Sequence, residues 1–231
     1  MHTVAAQISG RIGSILPHLG RTERELIVIA GDHTRRRWRT VAAIAITVAA
    51  TALAILPHEM EWLAALQRVE PTALKPLAKT LSAWGDVYPG TLSIAASLWL
   101  GGRLLNRRRL VRAGIACLLA ACLAGLFTDV FRFGLGRARP NSGMADGLYG
   151  PSLSSKLHGF PSGHATAALA TGVSLAVALP QVAIPTVALG VGVGWSRLYL
   201  NCHRPTDVLV GATIGSLFGL AFGSAARSGR K

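Results

Sequence analysis

Two histidines stand among residues that could move protons and phosphate. His203 lies in the stretch Ser196-Arg197-Leu198-Tyr199-Leu200-Asn201-Cys202-His203-Arg204-Pro205-Thr206-Asp207, four residues before Asp207. A carboxylate one helical turn from an imidazole can fix its tautomer and raise its basicity. Alone, such a pair reads as an ordinary surface contact. Two upstream stretches change its weight: Pro161-Ser162-Gly163-His164, and the arginines Arg132, Arg137 and Arg139 that precede Pro140. Arginine offers forked donors that match phosphate oxygens. Ser162-Gly163-His164 opens an apolar segment, where the free N–H groups and positive end of a helix favour an anion, and Gly163 allows close approach. Pro205 is suited to start a second helix pointing the same way.

Arginines and helix N-termini around two histidines describe a phosphate site. His203, backed by Asp207 as orienting carboxylate, is the better nucleophile. His164 has no acidic neighbour in sequence and is the natural general acid, then the base that activates water. Arg132, Arg139, Arg197, Ser162 and the Gly163 N–H would hold the equatorial oxygens and stabilise the transition state. Taken singly, Arg132 and Arg139 read as interfacial anchors, Asp129 as a brace for Arg132, and Lys156 and His158 as solvated loop residues. No carboxylate cluster or Cys/His spacing suggests a metal, so no cofactor is expected.

The elements that must carry these residues are apolar. Of 231 residues, 51% are hydrophobic and 15% charged, well below the roughly 25% charged of a soluble domain. The apolar residues fall in long runs, which predicts an all-α polytopic membrane protein with six spans in one bundle: 41–56, 87–102, 113–131, 162–179, 186–199 and 208–225. Residues 58–86 read as short amphipathic helices lying on the surface. Small residues recur every four positions from Asp207 through Gly211, Gly215, Gly219 and Gly223, and from His164 through Ala168, Gly172 and Ala176. Such stripes bring membrane helices close and should turn His164 and Asp207 into the bundle.

Net charge is +14. It lies in clusters between apolar runs, which argues against nucleic acid and for membrane orientation. Arg35 to Arg39, Arg103 to Arg112 and the C-terminal Arg227, Arg230 and Lys231 share one side if there are six spans. The positive-inside rule makes that side cytoplasmic and the histidine loops outward-facing. The chain then divides into a basic cytoplasmic segment (1–40, an interfacial helix or a loose tail), a membrane domain (41–226, with its motifs in 131–225) and a basic tail (227–231).

These motifs resemble the type 2 phosphatidic acid phosphatase and vanadium haloperoxidase superfamily, whose three motifs are Lys-x6-Arg-Pro, Pro-Ser-Gly-His and Ser-Arg-x5-His-x3-Asp. Pro161 to His164 matches the second. Ser196, Arg197, His203 and Asp207 match the third. Arg139-Pro140 matches the end of the first, with Arg132 at its leading lysine. The resemblance implies a membrane phosphatase with the roles above. Its substrates would be lipid phosphates or pyrophosphates such as phosphatidic acid, phosphatidylglycerol phosphate, undecaprenyl pyrophosphate or lipid A, and its location a bacterial inner membrane. A phosphotransferase passing the same phosphohistidine to a lipid hydroxyl, and a non-catalytic lipid-binding protein, remain as alternatives.

Overall fold

The structure, a computed structural model, describes residues 20–68 and 71–228. Among the described residues it is all-helical, with nine α-helices joined by short turns and one long loop. They are α1 (Arg21–Arg36), α2 (Trp38–Ile55), α3 (Glu59–Arg68), α4 (Pro71–Trp84), α5 (Leu92–Leu104), α6 (Arg108–Leu135), α7 (Gly163–Ala178), α8 (Ala183–Tyr199) and α9 (Pro205–Ser228). A wide turn, Val87–Thr91, leads into α5.

The bundle is built on α7. Its most extensive neighbour is α9, followed by α8 and α6. The four-residue stripe of α9 meets α7 directly. A Cβ on Gly211, Gly215, Gly219 or Gly223 would come within 2.5, 2.2, 2.9 and 2.6 Å of the carbonyl oxygens of Ser162, Thr166, Ala170 and Ser174. Only hydrogen fits there, so the two backbones touch along their length. The α7 stripe through Ala168 and Gly172 turns instead to α8: a Cβ on Gly172 would lie 2.4 Å from Thr186 O, and one on Gly190 3.2 Å from Ala168 O. The two stripes thus serve two different partners, and α7 is clasped on both sides. Threonine hydroxyls tie it further, Thr166 to Thr128 of α6 (3.3 Å) and Thr171 to Thr91 (2.8 Å).

Among the described residues, α2, α6 and α9 are long and apolar enough to cross a membrane, and α7 is apolar but has 16 residues. At about 1.5 Å per residue, α5, α7 and α8 are roughly 20, 24 and 26 Å long, short of a hydrocarbon core of about 30 Å. The six expected spans therefore divide into three full-length helices and three shorter ones. The shorter helices stop where the candidate site begins: at Thr91 before α5, at the Ser162 cap before α7, and near Asn201 (φ +55°) after α8.

Several boundaries differ from the sequence reading. α6 starts at Arg108 and runs past Arg132, which is therefore a last-turn helical residue and not a loop residue. Gly136, at φ +57°, ends it. A Cβ there would also lie 2.0 Å from Gly150 O, so glycine is required twice over. Residues 21–36 form an amphipathic helix whose Leu26 and Ala30 are buried in the core shared with α6 and α9, and Glu25 pairs with Arg112 at 3.0 Å. This excludes a loose tail over that stretch; residues 1–19 lie outside the described residues, as do Arg230 and Lys231. Finally, α3 and α4 do more than lie on the surface, because Glu59, Leu63, Ala78 and Ser82 are buried.

Candidate active site

The N-terminus of α7 forms the floor of the site. Phe160-Pro161 leads into it, and Ser162 is its N-cap, the hydroxyl accepting from Ala165 N at 3.5 Å. Ser162 is fully buried, and its own N–H donates to Asp207 O at 2.9 Å, stitching the starts of α7 and α9 together. The Ser162 hydroxyl, expected to face phosphate, is thus engaged as a helix cap. Arg132 reaches in from the end of α6: a Cβ on Gly163 would lie 3.0 Å from Arg132 Nη1. Asp129 braces that guanidinium at 2.8 Å, as its spacing suggested. A cationic side chain thus rests against the positive end of a helix, an arrangement that an anion between them would relieve.

His203 sits in the loop between α8 and α9, 1% exposed. Its Nδ1 lies 2.7 Å from Gly159 O and 3.8 Å from Asp207 Oδ2. The longer distance is beyond hydrogen-bond reach. The Gly159 carbonyl, not Asp207, therefore fixes the ring: Nδ1–H donates to it, and Nε2 carries the lone pair. Asp207 contributes charge without a direct bond because its oxygens are taken. Arg137 Nη1 donates to Oδ1 at 2.6 Å, and the Arg204 backbone N–H donates to Oδ2 at 2.7 Å. Burial pushes His203 below the ordinary histidine value; the nearby Asp207 pulls upward, and Arg197 and Arg139 add to the lowering.

Behind Asp207 lies a buried ionic lattice that the sequence did not announce. Arg137 bridges Asp207 and Glu59, the first residue of α3, and Glu59 also accepts from Thr206 Oγ1. Glu59 is 2% exposed. Arg204 donates to Ala138 O at 2.6 Å and pairs with Asp146 at 2.8 Å. Burial alone would lower Arg137, but the Asp207 and Glu59 charges and hydrogen bonds outweigh it and hold it above the ordinary guanidinium value. The loop from Gly136 to Pro161 is stapled by Ala138 N–H to Gly147 O (3.2 Å), Arg139 N–H to Lys156 O (2.9 Å) and Gly159 N–H to Arg137 O (2.8 Å). His158, read as a solvated loop residue, is buried against Phe133 with ring centroids 5.0 Å apart; Lys156 is exposed as expected.

Arg197, in the last turn of α8, is 6% exposed and donates through Nη1 to Ser82 Oγ of α4. Its backbone carbonyl accepts from the N–H groups of Cys202 (3.0 Å) and His203 (3.3 Å), which ties the loop carrying His203 to the end of α8. Arg139 donates through Nε to His158 O at 3.3 Å. Burial, then the Arg132 and Arg197 charges, pull Arg139 below the ordinary guanidinium value. Among the described residues, the buried Nε atoms of Arg132 and Arg197 have no hydrogen-bond partner. Unpaired buried donors are costly. Arg112 Nε, away from the histidines, is likewise unpartnered, while Arg132 and Arg197 lie among the cations that act on His164.

His164, on the first turn of α7, faces the same cluster and interacts electrostatically with Arg132, Arg139, Arg197 and His203. Its Nε2 lies 3.0 Å from Asp86 Oδ1. The acid that His164 lacks in sequence is therefore supplied from the turn between α4 and α5. Partial burial raises the Asp86 carboxyl above its ordinary value, with Arg197 pulling the other way. The structure thus brings His164, His203, Asp207, Arg132, Arg139, Arg197, Ser162 and Gly163 to one end of the bundle. Sequence reasoning missed Asp86, Glu59, Ser82 and Gly159. Among the described residues, no group of three or more His, Cys, Asp or Glu side chains could hold a metal ion.

A helical bundle with membrane-length apolar helices and a cationic two-histidine site at one end defines a membrane protein built to handle phosphate. Residues 113–227 match the PAP2 superfamily. Lipid A 1-phosphatase of Rhizobium etli is 28% identical over 80% of the chain and 83% of its own length. Decaprenylphosphoryl-5-phosphoribose phosphatase of Mycobacterium tuberculosis is 34% identical over 65% of the chain and 80% of its own length. A crystal structure of a transmembrane PAP2 type phosphatidylglycerolphosphate phosphatase from Bacillus subtilis shares the fold, with a TM-score of 0.61 and 20% identity over 82% of the chain and 97% of its own. The chain belongs to the PAP2 superfamily, and it is a membrane enzyme of the phosphoric monoester or diphosphate hydrolase class.

Proposed function

We propose that the protein is an integral-membrane phosphatase of lipid phosphates or pyrophosphates acting through a phosphohistidine, without a metal ion. The observation that carries this is the pair of unpartnered, buried Nε donors on Arg132 and Arg197 beside two histidines. Arg132, Arg139, Arg197 and the Gly163 N–H hold the phosphoryl oxygens. His203 Nε2 attacks phosphorus and forms the N–P bond as the P–O bond to the lipid breaks, and His164 gives its proton to the departing oxygen. His164 then takes a proton from water, whose oxygen attacks phosphorus and releases phosphate from His203. Asp207 stabilises the charge that develops on His203 across 3.8 Å.

Substrate range is read from the relatives and the rim. The relatives named above are phosphatases of lipid A and of a decaprenyl phosphosugar. Leu148, Tyr149 and Leu153 are exposed on the loop beside the site, where acyl or prenyl chains would run. Phosphatidic acid, phosphatidylglycerol phosphate, undecaprenyl pyrophosphate and lipid A are the candidates. With six crossings, 41–226 forms the membrane domain of a bacterial inner-membrane protein, both basic ends are cytoplasmic, and the site faces outward. The test is phosphate release from these four lipids by purified protein in EDTA, beside His203→Ala. Release lost in the variant supports the reading. Label passing from donor to an added lipid hydroxyl, with no free phosphate, would favour phosphotransfer. No chemistry on any lipid by folded protein would leave a non-catalytic lipid-binding role.

A further inference from the structure

A general acid in this site faces a conflict. Binding phosphate needs arginines, yet Arg132 from α6, Arg139 from the long loop, Arg197 from α8 and His203 from the loop before α9 all act on His164. Each positive charge opposes the proton that His164 must carry in the free enzyme. The phosphate can offset this only once bound.

Among the described residues, Asp86 is the one acidic side chain paired with His164, its Oδ1 3.0 Å from Nε2. It is held there from both sides. Gly85 packs so closely that a Cβ on it would lie 2.5 Å from Val193 and 3.0 Å from His164 Cβ. The Asp86 carbonyl accepts from Gly90 N–H (3.1 Å) and Thr91 N–H (3.4 Å), which closes the turn into α5. The carboxylate itself stands at the rim, its side chain 52% exposed. Such a group can stay ionised while touching the ring.

We propose that Asp86 is the positioning residue of the general acid: its carboxylate faces His164 Nε2 at 3.0 Å, orients the ring and favours its protonated form against the surrounding cations. The site then has two histidine–carboxylate pairings with opposite purposes. Asp207 lies near His203 without bonding its ring, so His203 can remain neutral. Asp86 meets His164 Nε2 directly at 3.0 Å, so a proton on that ring is opposed less. Asp86 itself transfers no proton; the proton given to the leaving oxygen comes from the imidazolium. This assignment rests on the phosphatase reading for its catalytic meaning, but the pairing can be measured without substrate.

The experiment follows His164 titration by imidazole NMR in full-length protein, with His164→Gln to assign the signal, in wild type, Asp86→Asn and Asp86→Glu. An opposite charge at this distance shifts a pKa by about one to three units. Asp86→Asn is expected to move the His164 midpoint down by at least about one unit, and Asp86→Glu to restore much of it. Phosphate release is measured in parallel across pH. The alkaline limb of kcat/KM should move down by the same amount, with about tenfold loss per unit on that limb and little change in KM. A merely structural contact would lower the rate equally at every pH. A His164 midpoint in Asp86→Asn unchanged within about 0.3 unit overturns the proposal, whatever the turnover. A shifted midpoint in a protein that releases no phosphate upholds the pairing and overturns the phosphatase reading instead.

Discussion

The ionic lattice behind Asp207 makes a quantitative prediction. Glu59 is 2% exposed and shares Arg137 with Asp207. Glu59→Gln keeps the shape and removes the charge. Two unit charges about 4 Å apart at an effective dielectric of about 20 interact by about 4 kcal/mol. The variant also turns one accepting oxygen into a donor facing the Arg137 and Thr206 donors. Breaking a buried pair by removing one partner costs about 3–5 kcal/mol, and the two estimates agree. At about 2–4 °C per kcal/mol for a chain of this size, the midpoint of thermal unfolding should fall by roughly 6–20 °C. The assay is intrinsic fluorescence on heating in detergent. A double variant, Glu59→Gln with Arg137→Met, should lose more than the single one, because it also strands the buried Asp207 carboxylate that Arg137 pairs with. A single variant within about 1 °C of wild type would refute the reasoning and place the lattice in contact with solvent.

Further outcomes follow from the same geometry. Gly215→Val puts a Cβ 2.2 Å from Thr166 O, where ordinary contact begins at 3.4 Å, so α7 and α9 must part by about 1.2 Å. Phosphate release should fall by at least about tenfold, and crosslinking between α7 and α9 can report the parting. Arg197→Lys keeps charge but loses the fork, and should cut kcat/KM by about a hundredfold, read in the lipid assay. His203, pushed down by burial, stays neutral below the ordinary histidine value near 6.5. Phosphate release should therefore persist as pH falls from 7 toward 6. Folding stability runs the other way. The contribution from neutral burial is complete above about 6.5 and is lost as pH falls from there toward the depressed folded value, measurable as a declining unfolding midpoint.

Much of this was legible in the chain. The three motifs placed the two histidines, Asp207 and the clustered arginines at one end of the bundle, and Pro205 did begin the last helix. The α9 stripe was read correctly as a packing face because glycine every four residues has one steric consequence. What escaped was contact between distant segments. Glu59 and Thr206 are 147 residues apart, and no local spacing joins them. The region holding Glu59, Ser82 and Asp86 reads as amphipathic surface because its apolar periodicity is ordinary. Its three polar contacts with the site carry no periodic signal. The Gly159 carbonyl is invisible for a different reason: a backbone acceptor has no side chain to announce it. The Asp207–His203 spacing suggested a bond, but spacing could not show that Arg137 and Arg204 already occupied both oxygens.

The central claim is that phosphate passes through His203. Rapid acid-free quenching of full-length protein with phosphate-labelled lipid, followed by peptide mass spectrometry, tests it directly. The account predicts label on the peptide containing His203 and none in His203→Ala. Turnover by the wild type with label on another residue, or with none at any time point, would contradict it.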